Sequence, residues 1–194
     1  QDDVLKLDMV RLRDDHFGAD FKVVANLPYY ITSPIIMKII QNRHIIPMAV
    51  IMVQKEVGQR LAASPGHKAY GILSIAVQLY ADVSIVCHVG REAFMPQPKV
   101  ESAVVKIVLR PEPRVPIVDE TLYFRVVEAA FGQRRKTIKN ALRRSNLSGI
   151  GPDAIDEALS LSDIDPIRRG ETLSIGEYAQ LTKEIDKILN INRK

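Results

Sequence analysis

Apolar positions in the first 110 residues fall into short continuous runs, separated by segments with helical spacing. Short runs rich in β-branched and aliphatic residues are typical of strands, and a fully apolar run is typical of a strand covered on both faces. The predicted strands are Phe21–Asn26, Met48–Val53, Val83–Val89 and Ser102–Leu109, and the predicted helices are Ile35–Gln41, Lys55–Ala63 and Ile72–Tyr80. This alternation predicts an α/β layer with a mostly parallel sheet.

The pattern changes at residues 111–116, where closely spaced prolines exclude regular structure and predict a linker. Every later segment has helical spacing. The predicted helices are Thr121–Phe131, Arg134–Ser145, Pro152–Leu161 and Ser174–Leu189, with Asp153 and Ser174 as expected N-caps. We therefore expect an α/β domain over residues 1–110 and a small all-helical domain over residues 117–194.

Positive charge is concentrated in the second of these helices. The net charge of the whole chain is only +4, but residues 133–144 contain six cations and no acid. The six are Arg134, Arg135, Lys136, Lys139, Arg143 and Arg144. Positions 135, 139 and 143 repeat every four residues, so a helix would place them in one stripe. A phosphate partner would offset the repulsion within that stripe, which favours RNA contact over a merely solvated face.

Composition argues against several other classes of protein. No apolar run approaches the ~20 residues that span a bilayer, and the chain starts with acidic residues where a signal peptide is basic and then apolar. We expect a cytoplasmic protein without a membrane partner. The single cysteine, Cys87, lies in a predicted strand and is expected to be buried, and the four histidines lack metal-ligand spacing. We therefore predict no metal site.

The sharpest chemical signal is the segment Asn26-Leu27-Pro28-Tyr29, which follows the first predicted strand. The exocyclic amine of adenine is a poor nucleophile because its lone pair is delocalised into the ring. An Asn side-chain oxygen and a nearby backbone carbonyl can accept its two N–H groups, and an aromatic ring can stack on the base. Open α/β sheets bind ligands at such strand ends. The alternative is that these four residues form only a turn.

The wider sequence resembles the ribosomal RNA adenine dimethyltransferase family, of the type that modifies the small subunit. The segments that carry the resemblance are residues 26–34, 54–57 with Arg60-Leu61, 94–105, 131–137 and 168–174. They occur in the family's order and cover nearly the whole chain. The resemblance implies a Rossmann-like class I methyltransferase sheet, followed by a small helical domain that faces RNA.

The resemblance also implies roles for individual residues of the acceptor site. Asn26 and the carbonyl of Leu27 would receive the target amine, with Pro28 fixing the turn. Tyr29 would stack on the base, and Phe94 would pack against it from another side. From the residues alone, Phe94 is better explained as a core anchor before the proline-rich turn that follows it.

Further implied contacts concern the cofactor and the RNA. Asp3, with Asn26, would lie near S-adenosylmethionine, although Asp2 is a competing match for the family's acidic residue. Lys99 could contact a phosphate or be solvated, and the choice stays open. Arg168 and Arg169 belong to the family's closing motif and are candidate RNA contacts.

The Gly-rich loop that holds the cofactor in this family does not occur in the sequence, and its 10 glycines are scattered. The family would place that loop before residue 1, together with the first strands of the sheet. We therefore expect a piece of a longer enzyme that is inactive, or nearly so, by itself. Residues Val23-Val24 would then form an exposed sheet edge, through which the chain could form an oligomer.

The leading hypothesis is transfer of methyl groups from S-adenosylmethionine to N6 of adenine in small-subunit rRNA, as a step of ribosome biogenesis. The partner would be small-subunit rRNA or the immature small subunit. One alternative is a large-subunit rRNA methyltransferase of the macrolide-resistance type. Another is a non-catalytic RNA-binding module that acts in ribosome assembly.

Overall fold

The computed structural model describes residues 3–145, 147 and 150–191. The chain forms two compact units, of which the first contains Gln1–Ala62 and Val77–Arg114, and the second contains Ala63–Ala76 and Val115–Lys194. Residues 63–76 thus group with the helical residues at the C-terminal end, which a division in chain order does not anticipate. The domain boundaries expected from the sequence, on either side of a linker at 111–116, stay a prediction.

The first unit contains the sheet. Its elements are α1 (Met9–Leu12), a π-helical turn (Arg13–Phe17), β1 (Val23–Asn26), a 3-10 turn (Tyr29–Ile31), α2 (Thr32–Gln41), β2 (Met48–Gln54), α3 (Lys55–Leu61), β3 (Ala81–Val89), a second 3-10 turn (Arg91–Ala93) and β4 (Ser102–Leu109). Helix α4 (Ile72–Gln78) crosses the boundary between the units. The second unit contains α5 (Glu120–Gly132), α6 (Ile138–Arg144), α7 (Pro152–Leu161), a 3-10 turn (Gly170–Thr172) and α8 (Ile175–Ile191).

The four strands are ordered β1-β2-β4-β3. β1 pairs in parallel with β2, whereas β4 runs antiparallel to both β2 and β3. Three strands therefore share one direction, but the expectation of mostly parallel pairing is wrong. The reason lies in residues 90–101, which join β3 to β4 through a 3-10 turn alone. A parallel neighbour needs a longer crossover, usually with a helix, so β4 returns antiparallel and enters between β2 and β3.

The core of the first unit lies on one face of the two central strands. Alternate residues of β2 (Ala49, Ile51 and Val53) are fully buried, whereas the residues between them are half-buried. Helix α3 packs closely on β4 at Gly58. A Cβ added to this glycine would lie only 3.2 Å from side chains of Ala103 and Val105. The prediction that β2 is a central strand is confirmed, although only one of its faces is fully covered.

The two outer strands expose apolar or reactive side chains. Val24 on β1 is 81% exposed, which agrees with the expected exposed edge, and pairing of this edge with a second chain stays a prediction. Cys87 on β3 is exposed, so the prediction of a buried cysteine is wrong. The register shifts between Ile85 and Cys87, as a β-bulge does. Such a bulge turns side chains that strict alternation would have placed inside.

An aromatic core holds the second unit together. Tyr70, Tyr123 and Tyr178 are fully buried, and the ring centroids of Tyr70 and Phe131 lie 6.4 Å apart. The Tyr178 hydroxyl donates to the carbonyl of Gly170 at 2.8 Å, and the Tyr70 hydroxyl donates to the carbonyl of Leu173. Burial raises the pKa of Tyr178 well above its usual range. Tyr70 therefore explains why residues 63–76 belong to this unit.

The helix ends in this unit correct two expectations and confirm a third. Helix α6 begins at Ile138 with Thr137 as N-cap, so Arg134–Lys136 lie in the preceding turn and not in the helix. The N-cap of α7 is Gly151 followed by Pro152, not Asp153. The Ser174 hydroxyl accepts from the Glu177 N–H at 3.2 Å, which confirms Ser174 as an N-cap, and its own N–H donates to the Glu177 carboxylate, which completes a capping box.

Among the described residues, no helix is both long and apolar enough to cross a membrane.

Candidate functional site

The segment after β1 presents two hydrogen-bond acceptors side by side. Asn26 ends β1 and is exposed, while the side chain of Leu27 is buried and its N–H donates to the carbonyl of Met52 at 3.1 Å. This bond anchors the segment to the end of β2. Within the described part of the chain, no hydrogen bond reaches the side chain of Asn26 or the carbonyl of Leu27. The Asn26 amide is therefore exposed and without an internal partner in the described chain, and the Leu27 carbonyl has unused accepting capacity.

Pro28 sets the direction of the chain after these acceptors. Its carbonyl accepts from the Ile31 N–H and from the Thr32 hydroxyl, both at 3.2 Å. Its φ of −60° suits the turn that leads into the 3-10 segment and α2. The turn leaves Tyr29 half-buried and Tyr30 86% exposed. The segment is thus both a turn and a candidate site, because the turn is what brings the acceptors and the ring together.

The Tyr29 hydroxyl lies 2.7 Å from the hydroxyl of Ser102, the first residue of β4. Ser102 is fully buried and follows directly on the loop that contains Phe94. Phe94 is half-buried at the end of its 3-10 turn. Among the described residues, no ring contact joins Phe94 to Tyr29. The structure therefore links the two predicted aromatic segments through Ser102, and the packing of Phe94 on a base stays a prediction.

Two charged residues near the end of this loop differ in their surroundings. Glu101 accepts from Lys55 Nζ at 2.5 Å, and its carbonyl accepts from the Lys55 N–H at 2.9 Å. The hydrogen bond from Lys55 lowers the pKa of Glu101. Lys99 is exposed and forms no ion pair within the described residues. Its contact with a phosphate stays a prediction.

The residues described here form only a small part of a site for S-adenosylmethionine. Asp3 is exposed, and its carboxylate already accepts from the Leu5 N–H at 3.0 Å. Lys38 Nζ donates to the Leu5 carbonyl at 2.8 Å and so attaches this segment to α2. Asp3 and Asn26 could contact the edge of the cofactor, but these residues do not provide a backbone cradle for it. These residues therefore fit one edge of the cofactor and not the whole group.

Four of the predicted RNA-binding residues take part in ion pairs within the second unit. Arg134 donates to Glu171 at 2.6 Å and to the carbonyl of Lys68. Lys139 and Arg143 both donate to Oδ2 of Asp156, at 2.8 and 2.6 Å. The hydrogen bond from Lys139 lowers the pKa of Asp156. These cations stabilise the fold of the unit and are only partly available to a phosphate.

Arg168 is the fourth of these cations. Its guanidinium donates to the Glu177 carboxylate and, at 2.7 Å, to the carbonyl of Thr172. Burial alone would raise the pKa of Glu177, but the hydrogen bonds from Arg168 and from Ser174 overcome this and lower it to about 2. The closing motif of the sequence is therefore a network of hydrogen bonds that fixes the start of α8.

The remaining predicted cations are Arg135, Lys136, Arg144 and Arg169, and all four are exposed. Within the described part of the second unit they form no ion pair. The uniform stripe predicted through positions 135, 139 and 143 is wrong for two reasons. Position 135 lies outside α6, and positions 139 and 143 share one ion-pair partner, Asp156, which offsets half of their charge.

Sequence reasoning missed three partners that define these environments, namely Ser102, Asp156 and Glu177. Ser102 and Asp156 carry no local signal, because their partners are distant in the chain. Glu177 does carry one, since Ser174 followed three residues later by a glutamate is the signature of a capping box. Among the described residues, no group of three or more metal-ligating side chains comes together.

The sheet and its helices, with a candidate site at the end of the parallel strand β1, have the fold of a class I methyltransferase. The family model for ribosomal RNA adenine dimethylase matches residues 1–187. The chain belongs to this family. A small-subunit rRNA methyltransferase A of Bacillus cereus strain B4264 is 50% identical over 187 residues, which cover 94% of this chain and 64% of that protein. The corresponding protein of Bacillus mycoides strain KBAB4 has the same identity and coverage.

Solved structures give the same result at the level of the fold. The crystal structure of a dimethyladenosine transferase from Plasmodium falciparum superposes with a TM-score of 0.77 at 25% identity, covering 96% of this chain and 71% of that one. The structure of the 23S rRNA methyltransferase ErmE superposes with a TM-score of 0.66 at 22% identity, covering 95% and 70%. The chain spans 64% of the length of the two Bacillus relatives named above.

Proposed function

We propose that this chain forms the acceptor side of an enzyme that methylates N6 of adenine in small-subunit rRNA, in the cytoplasm and during assembly of the subunit. The observation that carries the proposal is the pair of acceptors at Asn26 and Leu27, which have no internal partner within the described residues and lie three residues or fewer from the tethered ring of Tyr29. Membership of the adenine dimethylase family supports this choice of target.

The geometry suits the chemical difficulty of the reaction. Two acceptors that bind both N–H groups of the amine favour a more tetrahedral nitrogen and direct its lone pair. A ring stacked on the base limits its rotation, so the reacting atoms stay aligned. When bound, S-adenosylmethionine would supply an electrophilic methyl group from its sulfonium and leave as the neutral thioether. Each methyl group that the nitrogen gains would be balanced by one proton released to solvent. The residues of this chain would orient the amine and exclude other poses of the base.

Four of the predicted cations form no ion pair within the described part of the second unit, and they support an RNA partner. Arg135, Lys136, Arg144 and Arg169 are exposed, and phosphate contacts supply most of the non-specific affinity for nucleic acids. Lys99 on the first unit is a further candidate. We propose that these residues contact the rRNA backbone, whereas Arg134, Lys139, Arg143 and Arg168 act mainly within the protein.

The test is methyl transfer to immature small subunits, read as N6-methylated adenosine by mass spectrometry after digestion of the RNA. Since the chain spans 64% of its Bacillus relative, it should be assayed alone and fused to the upstream segment of that relative. We expect transfer from the fusion, and a loss of at least about 100-fold in Asn26→Ala, as for removal of an acceptor that acts in the transition state. Asn190→Ala, which changes an exposed amide on α8, is the matched control.

Three other outcomes would replace the proposal. Transfer to large-subunit rRNA in preference to small-subunit rRNA would indicate an enzyme of the macrolide-resistance type. Tight binding of immature subunits by the fusion without any transfer would indicate an assembly module. Equal activity in Asn26→Ala and Asn190→Ala would remove Asn26 from the acceptor site.

A further inference from the structure

Ser102 is a buried hydroxyl whose partner lies in the candidate acceptor site. Its side chain is fully buried, and its Oγ lies 2.7 Å from the Tyr29 hydroxyl. Stacking on a base requires only the face of an aromatic ring, which phenylalanine would provide equally well. The hydroxyl of Tyr29 is therefore not explained by stacking, and its contact with Ser102 requires a different reason.

The contact spans the width of a strand. Asn26 is paired with Met52 of β2, and Met52 is paired in turn with Val104 of β4. Ser102 pairs with Gln54 at the end of β2. Since two strand spacings amount to about 10 Å, the chain after β1 must pass over the end of β2 for Tyr29 to reach β4. The hydrogen bond thus joins the segment after β1 to the loop before β4.

Ser102 is itself held from several sides, so it can serve as a fixed anchor. It is paired with Gln54 on one side and with Val89 on the other. Its neighbour Glu101 is bound by both the N–H and the Nζ of Lys55. The Tyr29 ring is consequently attached at two points, by its backbone in the 3-10 turn and by its hydroxyl to the sheet. Two attachments fix the direction of the long axis of the ring, on which Cβ and the hydroxyl oxygen both lie, whereas the backbone attachment alone would leave the ring free to swing about the Cα–Cβ bond.

We propose that Ser102 is a positioning residue for the acceptor site, which holds the Tyr29 ring in the orientation that stacks on the target adenine. This inference rests on the proposed function in one respect only, namely the identity of the base. The orientation of the ring can be tested without any substrate, so failure of one proposal can be distinguished from failure of the other.

The first experiment uses the 194-residue chain labelled with 3-fluorotyrosine and observed by ¹⁹F NMR. The chain has six tyrosines, and loss of one signal in Tyr29→Phe identifies the resonance of Tyr29. A ring whose long axis is held by its hydroxyl should give a signal distinct from that of a ring that swings about the Cα–Cβ bond, and Ser102→Ala should shift and narrow it. An unchanged Tyr29 signal in Ser102→Ala would overturn the proposal.

The second experiment measures methyl transfer in the active fusion. Loss of one hydrogen bond that orients the ring should lower kcat roughly five- to tenfold, in Ser102→Ala and Tyr29→Phe alike, with KM for the RNA changed less than about twofold. Because both variants break the same bond, the double variant should fall no further than either single one. Ser102→Thr, which keeps the hydroxyl, should restore most of kcat.

A matched control separates positioning from general stability. Thr182→Ala removes another buried hydroxyl, which donates to the Tyr178 carbonyl at 2.8 Å in the second unit. It should lower stability to a similar extent and leave kcat unchanged. Additive losses in Tyr29→Phe and Ser102→Ala, or an equal loss of kcat in Thr182→Ala, would overturn the role of Ser102. A wild-type fusion without any transfer, together with the expected ¹⁹F shift, would reject the proposed function and leave the orientation of Tyr29 established.

Discussion

Nε of Arg134 lies 2.6 Å from Oε2 of Glu171, and the same guanidinium donates to the carbonyls of Lys68 and Tyr70. These groups come from three separate segments of the second unit. Arg134, which the sequence predicted on an RNA-facing helix, therefore joins residues 63–76 to the remainder of the second unit. Its neighbour Arg135 is exposed and has no such partner within the described residues. Two adjacent arginines thus have different roles.

The difference between Arg134 and Arg135 can be measured directly. Arg134→Ala should lower the free energy of unfolding by about 1–2 kcal/mol, because it leaves a carboxylate and two carbonyls without their donor. Arg135→Ala should leave stability unchanged. The slope of log K for RNA binding against log salt concentration should become less steep by about 0.7–0.9, as for one lost phosphate contact. Urea unfolding and filter binding at several salt concentrations measure the two quantities. Equal effects of both substitutions on stability would contradict this assignment.

Asp156 limits how much of α6 is available to RNA, because it binds both Lys139 and Arg143. Asp156→Asn should release these two cations, raise the affinity for RNA and steepen the salt dependence by between about 1 and 2. A small decrease in Tm should accompany this change. Asp153→Asn is the control, because it removes the same charge from the same helix but releases no cation within the described residues. If both substitutions raise affinity equally, net charge and not the released cations is responsible.

The carboxylate of Glu177 predicts a dependence of stability on pH. Its pKa in the folded chain is about 2, below the ordinary value of 4.5. A lowered pKa means that the folded state favours the carboxylate, so the contribution is complete above about pH 4.5 and is lost as pH falls toward 2. The difference corresponds to at most about 3 kcal/mol. Partial exposure of the pair, with side chains 31% and 33% exposed, reduces this to about 1–2 kcal/mol.

The check compares the wild-type chain with Glu177→Gln by urea unfolding at pH 7 and at pH 3. The variant should be less stable at pH 7, and the difference should shrink at pH 3, where the wild-type carboxylate begins to lose its advantage. Glu157→Gln is the control, since this exposed carboxylate on α7 has no ion pair within the described residues. A difference that is the same at both pH values would mean that the charge of Glu177 does not matter to stability.

The local elements of the fold could be predicted from the sequence to a large extent. Ser102–Leu109 and Pro152–Leu161 have the predicted bounds, because periodicity and helix ends depend on residues close together in the chain. The position of β4 between β2 and β3 depends on pairing between distant segments, which periodicity does not encode. The exposure of Cys87 likewise follows from a bulge in that pairing.

In the candidate site too, local features could be predicted from the sequence and contacts between distant residues could not. The segment from Asn26 to Tyr29 could be identified, because the acceptors and the ring are adjacent in sequence. Its tether could not, because Ser102 lies 73 residues from Tyr29. For the basic cluster, spacing predicted that Lys139 and Arg143 share a helix face, but not that Asp156 on another helix would form ion pairs with both of them.

Gly170, within the closing motif of the sequence, provides a prediction about packing. A Cβ at this position would lie 3.0 Å from the Ala130 carbonyl oxygen, from the Ala130 Cβ and from the Tyr178 hydroxyl. The backbone of α5 cannot move away easily, and the Tyr178 hydroxyl is already bound to the Gly170 carbonyl. Gly170→Ala should therefore lower the free energy of unfolding by about 1–3 kcal/mol, as overpacking of a core does.

Gly132→Ala is the matched control for this substitution. A Cβ at Gly132 would meet nothing within 4 Å, and this residue ends helix α5. Its replacement should be neutral or stabilise the chain by up to about 1 kcal/mol, because alanine is the better helix former. Thermal unfolding followed by the near-ultraviolet circular dichroism of the tyrosines would report on the aromatic core of this unit. If Gly170→Ala unfolds at the same temperature as Gly132→Ala, the glycine is not required by the approach of α5 to Tyr178. The closing motif would then need an explanation outside packing, for which contact of Arg169 with RNA is the first candidate.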